Sequence, residues 1–198
     1  MLDLDENLEN LEFHNNIIIK NLVFVTGIGA SGKSMLAPVV SSLKGSERIM
    51  INYILEQYSI LHYIGKMSKT TAIYLIRYTI DLMFYNNMIG RDANFRFSDE
   101  TSIWNTRNPI KYIKRLFSDE GNDIYDKKMD ESSLTLLSIH NGIWYSNIYF
   151  EAFPTLKMLQ CQRNPIDIIY RWIEKGFGPK FYSNYRNRSL TYKWKNNI

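Results

Sequence analysis

The chain has 198 residues, of which 45% are hydrophobic and 22% are charged, and its net charge is +4. This composition is typical of one globular domain and excludes a wholly disordered, collagen-like or disulfide-rich chain. A single cysteine, Cys161, excludes an internal disulfide and a zinc site built from several thiolates. No uncharged apolar run approaches the ~18 residues that a membrane span needs.

The charges are distributed unevenly along the chain. Residues 1–12 include five acids and no base, the opposite of a secretory signal, and we therefore expect a soluble, cytoplasmic protein. Residues 157–195 include nine Lys or Arg and two acids, which predicts an anionic ligand, with a solvated basic face as the alternative. We expect no nucleic-acid partner, because the net charge is modest and the aromatic residues are not interleaved with Lys or Arg.

Apolar patterns predict strands and helices that alternate along the chain. Leu22–Thr26 is rich in β-branched residues and ends on a glycine, which predicts a buried strand. Further strands are predicted over 48–51 and 156–162, helices over 35–43, 51–64, 70–85, 109–117, 134–153 and 166–175, and loops over 90–105 and 118–133. This alternation is typical of an α/β fold with a central parallel sheet flanked by helices.

Residues 27–34, Gly-Ile-Gly-Ala-Ser-Gly-Lys-Ser, match the phosphate-binding pattern G-x-x-x-x-G-K-[ST]. They lie directly after a predicted strand and directly before a predicted helix, the context that this motif requires. Glycines let the backbone turn several N–H groups inward, and the N-terminus of the helix adds positive potential. Lys33 supplies a cation and Ser34 a hydroxyl. We therefore predict a P-loop, with an ordinary strand-to-helix turn as the alternative.

The motif alone does not select a reaction. A P-loop kinase or ATPase usually holds Mg²⁺ with an aspartate at the end of an apolar strand. Neither later predicted strand, 48–51 or 156–162, ends in an acid, and the second leads into Arg163. This arrangement favours a nucleotide whose leaving group is stabilised by cations of the protein, and no metal is expected.

Two segments resemble the sulfotransferases that use 3′-phosphoadenosine 5′-phosphosulfate (PAPS). Residues 24–36 resemble the family's 5′-phosphosulfate loop, and residues 163–170, Arg-Asn-Pro-Ile-Asp-Ile-Ile-Tyr, are similar to the strand-turn-helix that binds the 3′-phosphate. The resemblance covers about residues 22 to 180. It implies a single P-loop-type domain over 22–198, possessing little chain after the second motif, which follows an acidic and polar lead-in over 1–21.

The resemblance also implies which residues bind PAPS. In this chain they are Gly27, Gly29, Ala30, Ser31, Gly32, Lys33, Ser34, Met35, Arg163 and Arg171. Arg171 stands where the family has a serine that shares the 3′-phosphate, and a guanidinium also suits a phosphate. For Arg163 the alternative is an ion pair with Asp167 at the start of a helix.

Sulfuryl transfer to a hydroxyl acceptor, with a carbohydrate as one candidate, is the implied reaction. Lys33 and the N–H groups of residues 29–34 would stabilise the charge that grows on the bridging oxygen. Glu56 resembles the glutamate of the carbohydrate-sulfating branch, although Gln57 follows it where that branch has proline. His140 and His62 are rival general bases, because histidine titrates near neutral pH. A structural role is the alternative for each of the three.

The loop at 91–104 contains two arginines, two aromatic residues and Ser102, and is the predicted site of acceptor recognition. Local pairing with Asp92, Asp99 and Glu100 would explain the same arginines. Two other functions stay open, a P-loop nucleotide kinase or ATPase and a non-catalytic module that binds a bisphosphonucleotide. The expected partner is a small-molecule or glycan hydroxyl, and the sequence predicts no oligomeric state.

Overall fold

Four short strands form a parallel β-sheet in a computed structural model of the chain, which describes residues 17–118, 133–140 and 142–177. They are β1 (Leu22–Thr26), β2 (Ser46–Ile51), β3 (Leu134–Ile139) and β4 (Lys157–Gln160), in the order β2-β3-β1-β4. All five residues of β1 are buried, as expected of a strand that is covered on both faces. The predicted α/β fold with a central parallel sheet is confirmed.

Helices cover both faces of this sheet. They are α1 (Lys33–Ser41), α2 (Ile54–Tyr63), α3 (Lys69–Met88), α4 (Pro109–Arg115), α5 (Ser146–Ala152) and α6 (Pro165–Glu174), with 3₁₀ turns at Ile103–Asn105 and Gly142–Tyr145. Val23 and Val25 pack with α1 on one face, whereas Phe24 and Leu137 pack with α2, α3 and α5 on the other. The alternation of β1 side chains between the faces therefore divides the core into two layers.

The prediction of one helix over 134–153 is wrong. Residues 134–139 form β3, and α5 begins only at Ser146. All but the first residue of β3 are buried, and a short, fully buried apolar run lacks the periodicity that distinguishes a strand from a helix. β3 lies between β1 and β2, so His140 follows a central strand and does not end a helix.

Parallel pairing brings three strand ends to one edge of the sheet. Thr26, the last residue of β1, is in register with Ile139 of β3 and with Gln160 of β4. The backbone N–H of Cys161 then donates to the carbonyl of Thr26 at 2.8 Å. The P-loop, His140 and the turn that contains Arg163 therefore begin side by side, at the edge where ligands of parallel α/β sheets bind.

Part of the chain lies outside the described residues. This applies to positions 1–16 of the predicted lead-in, to most of the loop predicted at 118–133 and to all residues after 177. From the end of the lead-in, Ile19 contributes to the core. Within the described ranges no helix is long and apolar enough to cross a membrane.

A buried carboxylate connects β2 to α4. Glu47 is 1% exposed and accepts hydrogen bonds from Arg115 at 2.7 and 2.9 Å and from Lys111 at 2.6 Å. Burial alone would raise the pKa of Glu47, but the hydrogen bonds and charges of Arg115 and Lys111 outweigh it and lower that pKa to about 2. Asn87 of α3 and Tyr112 also donate to this carboxylate, so its acceptor positions are well occupied.

Candidate functional site

The P-loop changes direction at residues with left-handed backbone conformations. Gly32, the N-cap of α1, has φ 103°, and Ala30 has φ 68°, the one positive φ among non-glycine residues in the described chain. Such alternation turns successive N–H groups to the same side and forms a concave site for an anion. No side chain caps the N-terminus of α1, so its first N–H groups face this concavity without a competing side-chain acceptor.

Gly27 and Ser31 are packed against the end of β4. A Cβ at Gly27 would lie 2.9 Å from the carbonyl oxygen of Cys161, a distance that real side chains do not adopt. Ser31 Oγ is buried and, unlike most buried polar atoms of the described chain, has no hydrogen-bond partner. An unsatisfied buried hydroxyl costs about 1–3 kcal/mol, and a phosphate oxygen in the P-loop would satisfy it.

Trp172 of α6 holds the P-loop from outside. Its indole N–H donates to the carbonyl oxygen of Gly29 at 2.8 Å, and a Cβ at Gly29 would lie 3.4 Å from the ring of Phe177. The C=O and N–H of a planar trans peptide point in opposite directions. Because Trp172 fixes the Gly29 carbonyl on one side, it directs the N–H of Ala30 to the other.

Lys33 is turned towards the end of β3. Its ammonium donates to Ser138 Oγ at 3.3 Å and lies 3.1 Å from His140 Nε2. Burial lowers the pKa of Lys33, whereas the carboxylates of Glu100 and Glu56 act in the opposite direction. An ammonium has three N–H donors, so a third remains for an anion in the P-loop.

Glu56 orients His140 from the first turn of α2. Its Oε1 accepts the backbone N–H of His140 at 2.6 Å and lies 3.3 Å from His140 Nδ1. Tyr53 stacks on the imidazole with ring centroids 5.5 Å apart. With the Lys33 ammonium on Nε2, the consistent tautomer carries its proton on Nδ1 and donates it to Glu56.

The three predicted catalytic residues therefore form one hydrogen-bonded chain, Glu56–His140–Lys33. The rival base His62 lies in the last turn of α2, where its Nδ1 is 3.2 Å from the carbonyl oxygen of Met67. Sequence reasoning missed Ser138, because the predicted helix hid the pattern. Residues i and i+2 of a strand point to the same face, so a strand over 134–139 would have placed Ser138 and His140 together.

Carboxylates reach the P-loop from helices and loops and not from strand ends. β3 leads into His140 and β4 into Cys161, and neither strand ends in an acid. Glu100, from the loop after α3, lies close enough to influence the pKa of Lys33. Within the described residues no three His, Cys, Asp or Glu side chains cluster as ligands for a metal ion.

The loop predicted to recognise the acceptor is anchored to β2. Arg48 donates to the carbonyl oxygens of Asp92 at 2.7 Å and of Thr101 at 3.2 Å. On its outer side Phe97 stacks on Trp104 with centroids 5.3 Å apart, and Phe97 is 78% exposed. The loop thus presents an accessible aromatic surface on a fixed backbone.

The arginines of the second motif are exposed and paired with acids of α6. Arg163 Nε lies 3.7 Å from Asp167 Oδ2, the pairing that sequence analysis gave as the alternative. Arg171 donates to Glu174 at 2.7 Å. Both side chains are about half exposed and remain accessible to a phosphate.

The resemblance to PAPS sulfotransferases therefore depends on two segments of the chain. The first has the geometry of an anion-binding loop, and the second follows β4 at the same edge of the sheet. No family model, no curated protein and no solved structure matches this chain.

Proposed function

We propose that the chain is a sulfotransferase, which moves a sulfuryl group from PAPS to a hydroxyl acceptor such as a small molecule or a glycan. The observation that carries the proposal is the Glu56–His140–Lys33 chain beside the P-loop. It combines a cation for a leaving phosphate with an oriented imidazole for the acceptor proton. These are the two groups that transfer to a hydroxyl requires.

In the proposed reaction the acceptor oxygen attacks sulfur while the bond between sulfur and the bridging oxygen breaks. The electron pair of that bond stays on the 5′-phosphate, where the ammonium of Lys33 and the N–H groups of the P-loop stabilise it. When Lys33 turns to the bridging oxygen, it releases His140 Nε2, which accepts the acceptor proton. Glu56 stabilises the imidazolium that forms, through its contact with Nδ1.

Arg163 is the proposed contact for the 3′-phosphate, with Arg171 as a second donor. Each would exchange its present partner, Asp167 or Glu174, for a phosphate that carries more charge than one carboxylate. The lack of an acid at the ends of β1, β3 and β4 supports a donor whose leaving group relies on cations of the protein.

Glu100 favours a second candidate, a P-loop kinase or ATPase. Its carboxylate acts on Lys33 from the loop after α3, and a carboxylate near a P-loop is a suitable ligand for Mg²⁺. The two candidates differ in nucleotide and in metal dependence. In a sulfotransferase Glu100 would face the acceptor and not a metal.

Calorimetry with 3′-phosphoadenosine 5′-phosphate and with ATP, each with and without Mg²⁺, separates these candidates. We expect the bisphosphate to bind without metal, and transfer of labelled sulfate to glycans or phenols then separates an enzyme from a binding module. Arg163→Ala should weaken binding of the bisphosphate by roughly tenfold and leave binding of adenosine 5′-phosphosulfate, which has no 3′-phosphate, unchanged. Binding of ATP that depends on Mg²⁺, without binding of the bisphosphate, would overturn the proposal.

Lys33→Ala tests the role of the P-loop cation. We expect loss of transfer by roughly 10²-fold or more, with folding retained, because the variant removes a buried ammonium whose desolvation opposes its charge. Lys44→Ala, at an exposed position after the same helix, is the matched control and should transfer sulfate at the parent rate. Equal rates for Lys33→Ala and the parent would contradict the assignment.

A further inference from the structure

The outer face of α6 is apolar and exposed. Ile166 is 75% exposed, Ile169 56%, Tyr170 65% and Ile173 75%, and Ile168 is the one buried residue of this helix. The four exposed residues are three or four positions apart and therefore form one stripe along the helix. We call it the α6 stripe. A contiguous exposed apolar stripe on an amphipathic helix marks a contact surface.

The α6 stripe belongs to the least buried part of the described fold. β4, which leads into α6, lies at the edge of the sheet and pairs with β1 alone. Its residues alternate between exposed and partly buried, whereas those of β1 are all buried. The surface that requires a cover therefore lies at one edge of the domain, where a second molecule can approach.

The α6 stripe is complementary to itself. Its positions are symmetric about the point between Ile169 and Tyr170. Two copies of α6 in antiparallel arrangement would therefore place Ile166 against Ile173 of the second copy, and Ile169 against Tyr170 of the second copy. Each contact would occur twice, as in any two-fold interface.

The charges beside the stripe have the same symmetry. Arg163, Asp167, Arg171 and Glu174 alternate in sign, and within the chain they form the pairs Arg163–Asp167 and Arg171–Glu174. In the antiparallel arrangement Asp167 faces Arg171 of the second copy, and Arg163 faces Glu174 of the second copy. Opposite charges therefore meet along the whole border of the stripe, which favours a second copy over an unrelated partner.

We propose that this chain forms a two-fold dimer through antiparallel α6 helices. The α6 stripe forms the centre of the contact, and the alternating charges set its register. The dimer does not rest on the proposed sulfotransferase activity, because its test measures mass and crosslinking and no turnover.

Sedimentation of the full chain over a wide concentration range tests the dimer. We expect twice the chain mass at high concentration, and Ile169→Asp with Ile173→Asp should shift the protein to the monomer. Val39→Asp, at a 61% exposed position of α1, is the control and should remain dimeric. A parent chain that is monomeric at every concentration overturns the proposal and leaves residues 178–198 or another protein to cover the stripe.

Charge exchange and crosslinking test the antiparallel register. Asp167→Arg and Arg171→Asp should each weaken the dimer by roughly tenfold, and the double variant should restore it. In a Cys161→Ser background, oxidation of a mixture of Ile166→Cys and Ile173→Cys chains should give a crosslinked dimer, whereas each alone should not, because identical positions lie ~10 Å apart along the helix axis. Crosslinking of each variant alone, or no rescue by the double variant, overturns the register.

Discussion

At the scale of single residues, the site depends on how one imidazole is held. His140 is contacted by Glu56 on Nδ1, by Lys33 on Nε2 and by Tyr53 on its ring face. The two polar partners select opposite ends of the ring, so only one neutral tautomer satisfies both. A base with a fixed tautomer and orientation needs no rearrangement before it accepts a proton.

His140→Ala should therefore lower kcat for sulfate transfer by roughly 10²–10⁴-fold, the usual contribution of a general base. Glu56→Gln keeps an acceptor for the His140 backbone N–H but removes the charge that stabilises the imidazolium, and its loss should be smaller. Both variants should bind 3′-phosphoadenosine 5′-phosphate as the parent does. His62→Ala, the variant of the rival base, serves as control, and a loss equal to that of His140→Ala would contradict the assignment.

At the scale of elements, most helices and strands could be predicted because their periodicity or punctuation is distinctive. β1 ends on glycine, α4 begins at Pro109 and α6 is followed by Gly176. β3 could not, because Leu-Thr-Leu-Leu-Ser-Ile is equally consistent with a buried helix until its neighbours are known. Its position depends on pairing with β1 and β2, which is information that the local sequence does not contain.

The contact between α6 and the P-loop gives a prediction about affinity. Trp172→Phe keeps an aromatic ring but loses the donor to the Gly29 carbonyl, so the peptide before Ala30 is free to rotate its N–H away from the anion site. We expect binding of 3′-phosphoadenosine 5′-phosphate to weaken by roughly three- to tenfold, as measured by calorimetry. Trp144→Phe, at an exposed position in a 3₁₀ turn, should not change the affinity, and equal effects of the two variants would refute the contact's role.

On α3, Asp81 places a carboxylate where it is poorly solvated. Its Oδ1 is buried without a hydrogen-bond partner, and burial raises its pKa to about 6, although Arg77 acts against the shift. A raised pKa adds stability below the unfolded value near 3.8, and this stability is lost as the pH rises through about 6.

Asp81→Asn should consequently stabilise the protein at pH 8 by about 1–2 kcal/mol, a value reduced from the full shift because the side chain is partly solvated. At pH 4 the gain should disappear, since the parent carboxyl is then protonated in the folded state. Urea unfolding at both pH values measures the difference. Asp92→Asn, on the exposed loop after α3, is the control, and a gain that is equal at both pH values would argue against the burial of Asp81.

At the scale of the whole molecule, the parallel sheet assembles a site from distant parts of the chain. Lys33, Glu56, His140 and Arg163 follow β1, β2, β3 and β4 in turn. The P-loop could be located from its pattern alone, and Glu56 and His140 could be nominated as residue types. Their mutual contact could not be predicted, because it depends on the position of β3 in the sheet.

The opposite end of β2 supplies the final prediction, which concerns the stability of the whole fold. Glu47 connects β2 to α3 and α4 through a carboxylate that Arg115 and Lys111 keep ionised. Because its pKa is lowered from 4.5 to about 2, its stabilisation is complete above pH 4.5 and is lost as the pH falls through about 2. Glu47→Gln leaves two cations without their counter-charge and should cost about 3–5 kcal/mol at pH 7. The double variant Glu47→Gln with Arg115→Met should recover part of that loss, because it removes one buried unpaired charge. Urea unfolding at pH 7 and pH 3 measures both, and the penalty of Glu47→Gln should shrink at the lower pH. A penalty that does not change with pH would mean that the carboxylate contributes through packing and not through its charge.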